Sequence, residues 1–232
     1  MERYGDGKQP VSSDEVYLDI RRRILRLKLE PGQKISENQM AEEYGVSRSI
    51  IHSIFVRLNQ LGLVAVYPQR GTYVTLIDLK YVENLLILRG AVEKEAVYEL
   101  FERLDEEKRK ALIEKLEANV EKQEQYRDEV EYNREFQKLD TEFHKTIIAS
   151  VDRYCLVEML AELMLHLSRW RNLDVALGHR MPILIQQHRS IISAMKTGDY
   201  IQVQMKIAEH LDTITEIRDR AMEVYPQYFT KE

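Results

Sequence analysis

The chain has 232 residues, of which 31% are charged, and its formal net charge is −5 at pH 7. This length accommodates two domains with separate cores, and the small numbers of Gly (9) and Pro (5) favour a mostly helical protein. The negative net charge excludes a chain that binds polyanions over its whole surface.

Charge is distributed unevenly along the sequence. Residues 1–77 hold 11 Lys or Arg against 9 Asp or Glu, whereas the remainder holds 23 against 30, so we expect nucleic-acid contact in the first third only. The single cysteine, Cys155, excludes an internal disulfide, and the N-terminus lacks the apolar core of a signal peptide. Because no run of about 18 apolar residues occurs, we expect a cytoplasmic protein without a membrane partner.

The first third begins with a polar arm over residues 1–12 and a predicted helix over 13–29, which Pro31-Gly32 ends. Residues 36–63 then predict two short helices joined by a tight turn. Ser36 and Ser47 are positioned to cap these helices, and Gly45 supplies the backbone freedom that the turn needs.

The second of these helices carries an apolar face of Ile51, Ile54, Phe55 and Leu58. Its N-terminal end is left exposed, which is the end that a DNA-reading helix places in the major groove. No Asp or Glu occurs between Tyr44 and Ile77, as a phosphate-facing surface requires. The predicted DNA-binding residues are Ser47, Arg48, Ser49, His52, Arg57, Arg70 and Gly71.

Two β-rich runs, 64–67 and 72–76, flank Pro68-Gln69-Arg70-Gly71 and predict a hairpin with an Arg at its tip. Such a hairpin after a helix-turn-helix is the wing of a winged helix. A less specific interpretation is a small helical domain with a hairpin. The acid-free stretch, the two caps and the tip Arg favour a DNA-binding domain over residues 1–77.

Residues 78–232 are a succession of amphipathic helices with short connections, which predicts an antiparallel bundle of about six helices. The helix over 105–129 is charged on most sides and is predicted to be an outer, solvated helix; the aromatic tail after Met222 has no assigned role. The expected helices lie near 79–102, 105–129, 132–150, 153–175, 180–197 and 199–222.

Four polar residues interrupt the apolar faces of these helices: Asp140, His144, His188 and His210. Burying such groups unpaired is expensive, so they need partners. Each histidine taken alone is interpreted as a hydrogen-bonded core residue. Together, one carboxylate and three imidazoles suit a divalent metal such as Zn²⁺, Ni²⁺ or Mn²⁺. His166 and His179 lie outside this pattern.

Arg89 interrupts the apolar stripe of the first bundle helix. A buried guanidinium requires a carboxylate. One candidate is Glu93, four residues later on the same helix. The other is the carboxylate of an effector that also reaches the metal.

These residues resemble the GntR family of bacterial transcription regulators, in its FadR-type branch with an all-helical FCD effector domain. The first-domain motifs are Pro31-Gly32-x-x-Ile35-x-Glu37, Met40-Ala41, Gly45-Val46-Ser47-Arg48, Arg57-Leu58, Leu61-Gly62-Leu63-Val64 and Arg70-Gly71-Thr72-Tyr73-Val74. The effector-domain motifs are Leu88-Arg89 with Glu93, Asp140-x-x-Phe143-His144, His188-x-x-Ile191 and His210. Six effector helices would resemble the shorter VanR-like subgroup.

The resemblance implies that Arg48 contacts bases or phosphates, that Gly71 is the wing glycine, and that Asp140 and the three histidines are metal ligands. Two departures concern the recognition helix. Ile50 stands where the family usually has Pro, and His52 stands where it usually has a second DNA-contacting Arg. A neutral His does not reproduce the bidentate contact of Arg with guanine, so the operator sequence does not follow from relatives.

The sequence thus predicts a homodimeric, metal-containing regulator, a repressor, that binds a pseudo-palindromic operator and senses a small carboxylate. One alternative is a metal-dependent enzyme, because two histidines and a carboxylate also hold catalytic metals. It lacks an HExxH motif, a Glu-x-x-His pair and an evident general base. A further alternative, in which the bundle only dimerises, leaves the buried Asp140 unexplained.

Overall fold

The computed structural model describes residues 12–130, 132–178, 180–212 and 214–230. The chain divides into two compact units between Leu76 and Ile77. The predicted arm lies outside the described residues as far as residue 11, and so does His179. None of the helices in the described ranges has the length and apolar character that a membrane crossing requires.

The first unit is a winged helix-turn-helix. Its three strands form an antiparallel sheet in the order β1-β3-β2, with Lys34 opposite Tyr73 and Val64 opposite Val74. The two-residue strand β1 is too short to show a periodic pattern and was absent from the sequence prediction. The elements are α1 Ser13–Leu25, β1 Lys34–Ile35, α2 Glu37–Tyr44, α3 Arg48–Gln60, β2 Val64–Tyr67 and β3 Gly71–Val74.

Local signals in the sequence set the ends of these helices. Ser36 and Ser47 cap α2 and α3 through their side chains, and Gly45 ends α2 with φ +66°. Helix α1 ends at Leu25, earlier than Pro31-Gly32 predicted, because Leu27 adopts φ +57°. The apolar faces of α1 and α3 pack together as the core of this unit.

The described part of the second unit contains seven α-helices rather than the predicted six. The predicted helix over 199–222 is divided, because Asp212 leaves the helical region with φ −78° and ψ 63°. The predicted number of six effector helices, on which the resemblance to the shorter subgroup depended, is therefore not observed in the described residues. The helices are α4 Leu79–Arg103, α5 Glu106–Gln123, α6 Arg134–Ala149, α7 Tyr154–Gly178, α8 Met181–Thr197, α9 Tyr200–Leu211 and α10 Ile214–Val224.

The bundle core is built where α4 packs on α6, α7 and α9, where α5 packs on α6 and α8, and where α8 packs on α9. Helix α5 is mostly exposed, as its charge predicts, but it buries a stripe of Leu112, Leu116 and Val120. This stripe ends at Gln123, which is fully buried. The bundle thus encloses a polar group at the end of an apolar stripe, and that group belongs to the site described below.

The aromatic tail packs on the first residue of the second unit. Ile77 and Phe229 form a parallel β-bridge, in which the Ile77 amide donates to the Tyr228 carbonyl at 2.8 Å. The Thr230 amide in turn donates to the Ile77 carbonyl at 3.1 Å. Tyr228 and Phe229 are buried. The tail therefore pairs with the segment that begins the second unit.

Candidate metal centre and nucleic-acid interface

The N-terminal end of α3 presents four of the predicted DNA-binding residues together. The side chains of Arg48 and His52 are 71% and 66% exposed. The Ser47 hydroxyl caps the helix by accepting a hydrogen bond from the Ile50 amide, and it lies 2.8 Å from the hydroxyl of Ser49. This end of the helix is therefore exposed to solvent.

The acid-free stretch of sequence does not produce an acid-free surface. Glu37, at the start of α2, places Oε2 at 2.8 Å from Arg48 Nε and Oε1 at 2.8 Å from His52 Nδ1. Sequence reasoning treated Glu37 only as part of a family motif. The two contacts join residues that are 11 and 15 positions apart in the sequence, so no local sequence pattern predicts them.

The remaining predicted DNA-binding residues lie elsewhere in the first unit. Arg57 is near the C-terminal end of α3, where it donates to Asp14 at 3.0 Å and lies 3.7 Å from the ring of Tyr17. Arg70 is exposed in the β2–β3 hairpin. Gly71 has φ +109°, and a Cβ there would lie 2.9 Å from Lys34 Cε. A side chain at this position would therefore strain the wing.

The four predicted metal ligands converge inside the second unit. Asp140 and His144 come from α6, His188 from α8 and His210 from α9. One ligand atom from each lies within 4.8 Å of the others, and all four residues are buried. Side chains from three helices thus meet in one place.

Each of these histidines is held by its Nδ1 atom. His144 Nδ1 lies 2.7 Å from Glu93 Oε2, His188 Nδ1 lies 2.8 Å from Gln123 Oε1, and His210 Nδ1 lies 3.0 Å from Gln187 Oε1. Because a carboxylate or amide oxygen only accepts, Nδ1 donates in each pair. The Nε2 atoms therefore carry the lone pairs that a metal requires, and the oriented rings are typical of metal-binding histidines.

Asp140 is oriented in the same manner. The Tyr132 hydroxyl donates to Asp140 Oδ2 at 2.7 Å. The other oxygen, Oδ1, faces His188 Nε2 at 3.5 Å, and neither buried atom has a hydrogen-bond partner among the described residues. Two unpaired buried acceptors side by side are costly unless a cation lies between them. The residues present therefore fit a divalent metal ion.

The electrostatics of the cluster keep its ligands ready for a cation. Burial raises the pKa of a carboxyl group, but the combined effect of His144, His188, Arg171 and Arg89 outweighs it and lowers the pKa of Asp140 to about 2. Burial lowers the pKa of His188 to about 3 and the pKa of His210 well below its ordinary value. Burial and the charge of Asp140 raise the pKa of Tyr132, so its hydroxyl stays protonated and donates.

Arg89 has the same-helix partner that the sequence allowed. Its Nε donates to Glu93 Oε1 at 2.7 Å, and the side chain is 12% exposed. Arg89 also lines a cavity of about 670 Å³ together with Asp140 and His144. The pairing with Glu93 does not occupy the Nη atoms of Arg89, so both sequence interpretations are compatible with the structure.

A second guanidinium, that of Arg171 on α7, lines the same cavity. Its Nη1 donates to Asp174 Oδ2 at 2.9 Å. The apolar side chains that line this cavity come mainly from α7, with some from α4 and α6. They include Leu86, Ile148, Val157, Leu160, Met164 and Trp170.

Sequence reasoning did not find Tyr132, Gln123, Gln187 or Arg171. Gln123 carried a detectable signal, since it continues the stripe of Leu112, Leu116 and Val120 on a helix otherwise charged. Tyr132 precedes α6 and lies outside any periodic pattern, so only the packed structure reveals it.

The fold of the described residues and the proteins to which the chain is similar define a transcriptional regulator. Residues 12–74 match the family "Bacterial regulatory proteins, gntR family", and residues 84–213 match the FCD domain. An uncharacterized HTH-type transcriptional regulator in an unstable DNA locus of Streptomyces ambofaciens is 30% identical over 93% of this chain and 88% of its own length. The HTH-type transcriptional repressor RspR of Escherichia coli is 26% identical over 97% of this chain and 96% of its own length.

Solved structures show the same fold. E. coli McbR/YncC has a TM-score of 0.63 at 18% identity, covering 93% of this chain and 98% of that one. A putative GntR regulator from Rhodococcus sp. RHA1 has a TM-score of 0.56 at 19% identity over the same shares. The chain belongs to the GntR family and carries an FCD domain. It is a regulator rather than an enzyme, so the metal-dependent enzyme considered from the sequence is not supported.

Proposed function

We propose that this regulator is a homodimeric, metal-containing repressor that senses a small carboxylate and binds a pseudo-palindromic operator. Residues 1–77 bind the operator, and residues 78–232 bind the effector and dimerise. The observation that carries this proposal is the convergence of one ligand atom each from Asp140 and the three histidines, beside a cavity that Arg89 lines.

The DNA contacts are assigned to the exposed end of α3 and to the wing. Arg48, His52 and the two serines form the base-reading surface, and Arg70 with Gly71 contacts the backbone. Arg57 is assigned a phosphate contact from the C-terminal half of α3, where Asp14 holds its Nη1. Positive side chains at these positions release counterions from the duplex on binding.

Asp140, His144, His188 and His210 hold the metal, for which Zn²⁺, Ni²⁺ and Mn²⁺ are the candidates. When bound, the ion supplies a Lewis acid that accepts an oxygen of the effector. The chain itself supplies the ligand orientation through Glu93, Gln123, Gln187 and Tyr132. These partners support the proposal, because a bundle that only dimerised would have no use for four convergent ligand atoms.

Arg89 binds the effector carboxylate. Glu93 engages the Nε atom of Arg89, and the two Nη atoms remain for the carboxylate of a ligand. Effector binding changes operator affinity only to the extent that the effector binds one of two states of the protein more tightly than the other. The coupling free energy between two such sites is typically about 1–3 kcal/mol.

The dimer and the direction of regulation rest on two further arguments. One winged helix offers few base contacts, so specificity requires two, arranged by a twofold axis on a palindromic site. RspR, which is 26% identical, is named a repressor. Sedimentation that showed a monomer at micromolar concentration, or a footprint of one asymmetric half-site, would contradict the dimer.

A pair of variants tests the sensing mechanism. His188→Ala should lose Zn²⁺ binding and the response to carboxylates together, whereas Arg89→Ala should keep Zn²⁺ and lose carboxylate affinity. Both are measured by calorimetric titration with Zn²⁺ and with a panel of mono-, di- and tricarboxylates. His166→Ala is the control, because His166 lies on a bundle helix outside the cluster. If the His188 variant still responds as the wild type does, the metal is not part of the switch.

A further inference from the structure

One carboxylate joins two side chains of the proposed base-reading surface. Glu37 contacts Arg48 Nε through Oε2 and His52 Nδ1 through Oε1, both at 2.8 Å. Arg48 and His52 are four residues apart on α3 and therefore lie on the same face. Glu37 itself is only 21% exposed, whereas both of its partners are largely exposed. The carboxylate thus lies behind the two groups and supports them.

The contact determines where the His52 ring carries its proton. An ionised carboxylate only accepts hydrogen bonds, so Nδ1 of His52 is the donor. Hydrogen bonds from His52 and Arg48 lower the pKa of Glu37, which keeps it ionised. In the neutral imidazole Nε2 then carries the lone pair and acts as an acceptor. Among the described residues Nε2 of His52 has no hydrogen-bond partner, and the charged contacts of the ring are Glu37 and, through it, Arg48.

We propose that Glu37 sets the base specificity of His52 by holding its outer nitrogen as a hydrogen-bond acceptor. His52 then selects adenine or cytosine on the contacted strand, because their amino groups donate in the major groove, where guanine and thymine present oxygen acceptors. An arginine at the same position would select guanine instead. This inference rests on the proposed function, namely that the N-terminal end of α3 reads the major groove.

The same carboxylate leaves Arg48 with a different preference. Its Nε is engaged by Glu37, and the two Nη atoms remain for a contact with guanine O6 and N7. Glu37 therefore orients a donor and an acceptor side by side. Each operator half-site should contain a guanine read by Arg48 and, close to it, an adenine or cytosine read by His52.

The test selects binding sites for the full-length protein from a randomised duplex library at pH 8. His52→Arg identifies the contacted position, because the preference there should change to guanine. At that position the wild type should prefer adenine or cytosine by about tenfold. Glu37→Gln should reduce this preference ratio to about one. The Gln amide can donate to Nδ1 as well as accept from it, so it also permits the tautomer in which Nε2 carries the proton.

Two further variants complete the design. Glu37→Ala removes the acceptor altogether and serves where the Gln variant does not fold. Glu42→Gln, an exposed acid on the same helix α2, should leave every base preference unchanged. A general loss of folding would lower binding to all sequences equally, so a change confined to one position reports on the orientation of His52.

The outcomes separate this inference from the proposed function. A wild type that enriches no sequence contradicts the proposed DNA reading itself. A wild type that enriches a site whose His52-dependent position prefers guanine or thymine overturns the role of Glu37 and leaves DNA reading intact. The same conclusion follows if no position responds to His52→Arg, or if both Glu37 variants keep the wild-type preference.

Discussion

The carboxylate of Glu93 lies 2.7 Å from Nδ1 of His144, a predicted metal ligand. Its other oxygen accepts from Arg89 Nε, also at 2.7 Å. Glu93 is fully buried, and its pKa is lowered to about 2 although burial alone would raise it, because His144 and Arg89 both stabilise the charged form. One buried charge thus joins the candidate effector contact to the candidate metal centre.

Glu93→Gln should weaken Zn²⁺ binding by about 10–100-fold, because the outer partner of a metal-bound histidine fixes its tautomer and orientation. The measurement is calorimetric competition against a chelator of known affinity. Glu95→Gln, an exposed position on the same helix, should bind Zn²⁺ as the wild type does. Equal affinities in all three proteins would show that Glu93 serves only as the ion-pair partner of Arg89.

Arg48→Ala should weaken operator binding by roughly 1–3 kcal/mol, because it removes a bidentate base contact. The measurement is an affinity titration on a genomic fragment selected by the wild type, at several salt concentrations, since phosphate contacts make the affinity fall steeply with salt. Lys28→Ala removes one charge from an exposed position of the same unit and is the control. Unchanged binding by the Arg48 variant would exclude it from the interface.

Protein from which metal has been removed with a chelator should lose stability as the pH falls below about 6.5, the pKa of a free imidazole. Burial lowers the folded-state pKa of His188 to about 3, so between these values the unfolded chain binds a proton that the folded chain does not. The free energy of unfolding should therefore fall with decreasing pH, by up to about 1.4 kcal/mol per unit for this residue.

Urea denaturation across that pH range measures the effect, and His188→Gln isolates the contribution of His188. In this variant the free energy of unfolding should depend less steeply on pH, by the contribution of about one proton. Parallel pH curves for the two proteins would mean that His188 titrates alike in both states.

The sequence was sufficient where the structural signal is local or periodic. The caps Ser36 and Ser47 and the turn at Gly45 lie where their residue types predict. Asp140 and His144 share a helix face because they are one turn apart. The contacts of Glu37 and Gln123 were not predictable in this way, because they join residues distant in sequence or in different helices.

The predicted helix over 199–222 shows an error that a periodic signal can produce, since the structure divides it into α9 and α10. An apolar period that continues through Val203, Ile207 and Ile217 predicted one helix, although the backbone breaks at Asp212. Periodicity reports which side of the chain is buried, and both α9 and α10 bury a side. It does not report the backbone angles of Asp212, which follows the last residue of α9.

Phe229→Ala should lower the free energy of unfolding by about 3–5 kcal/mol, the usual cost of removing a buried Phe side chain. Phe229 is 5% exposed, and its backbone forms the bridge to Ile77, which is itself 3% exposed. Loss of the ring should release the tail, so that the amide and carbonyl of Ile77 lose their partners at Tyr228 and Thr230. Urea denaturation monitored by circular dichroism measures this change.

Zn²⁺ affinity separates this tail effect from damage to the bundle. The ligands lie on α6, α8 and α9, so the Phe229 variant should bind Zn²⁺ as tightly as the wild type under native conditions. Val224→Ala, at an exposed position in the same C-terminal segment, should change stability by no more than about 0.5 kcal/mol. If the two variants lose equal and small amounts of stability, the bridge between Ile77 and Phe229 does not hold the tail in solution.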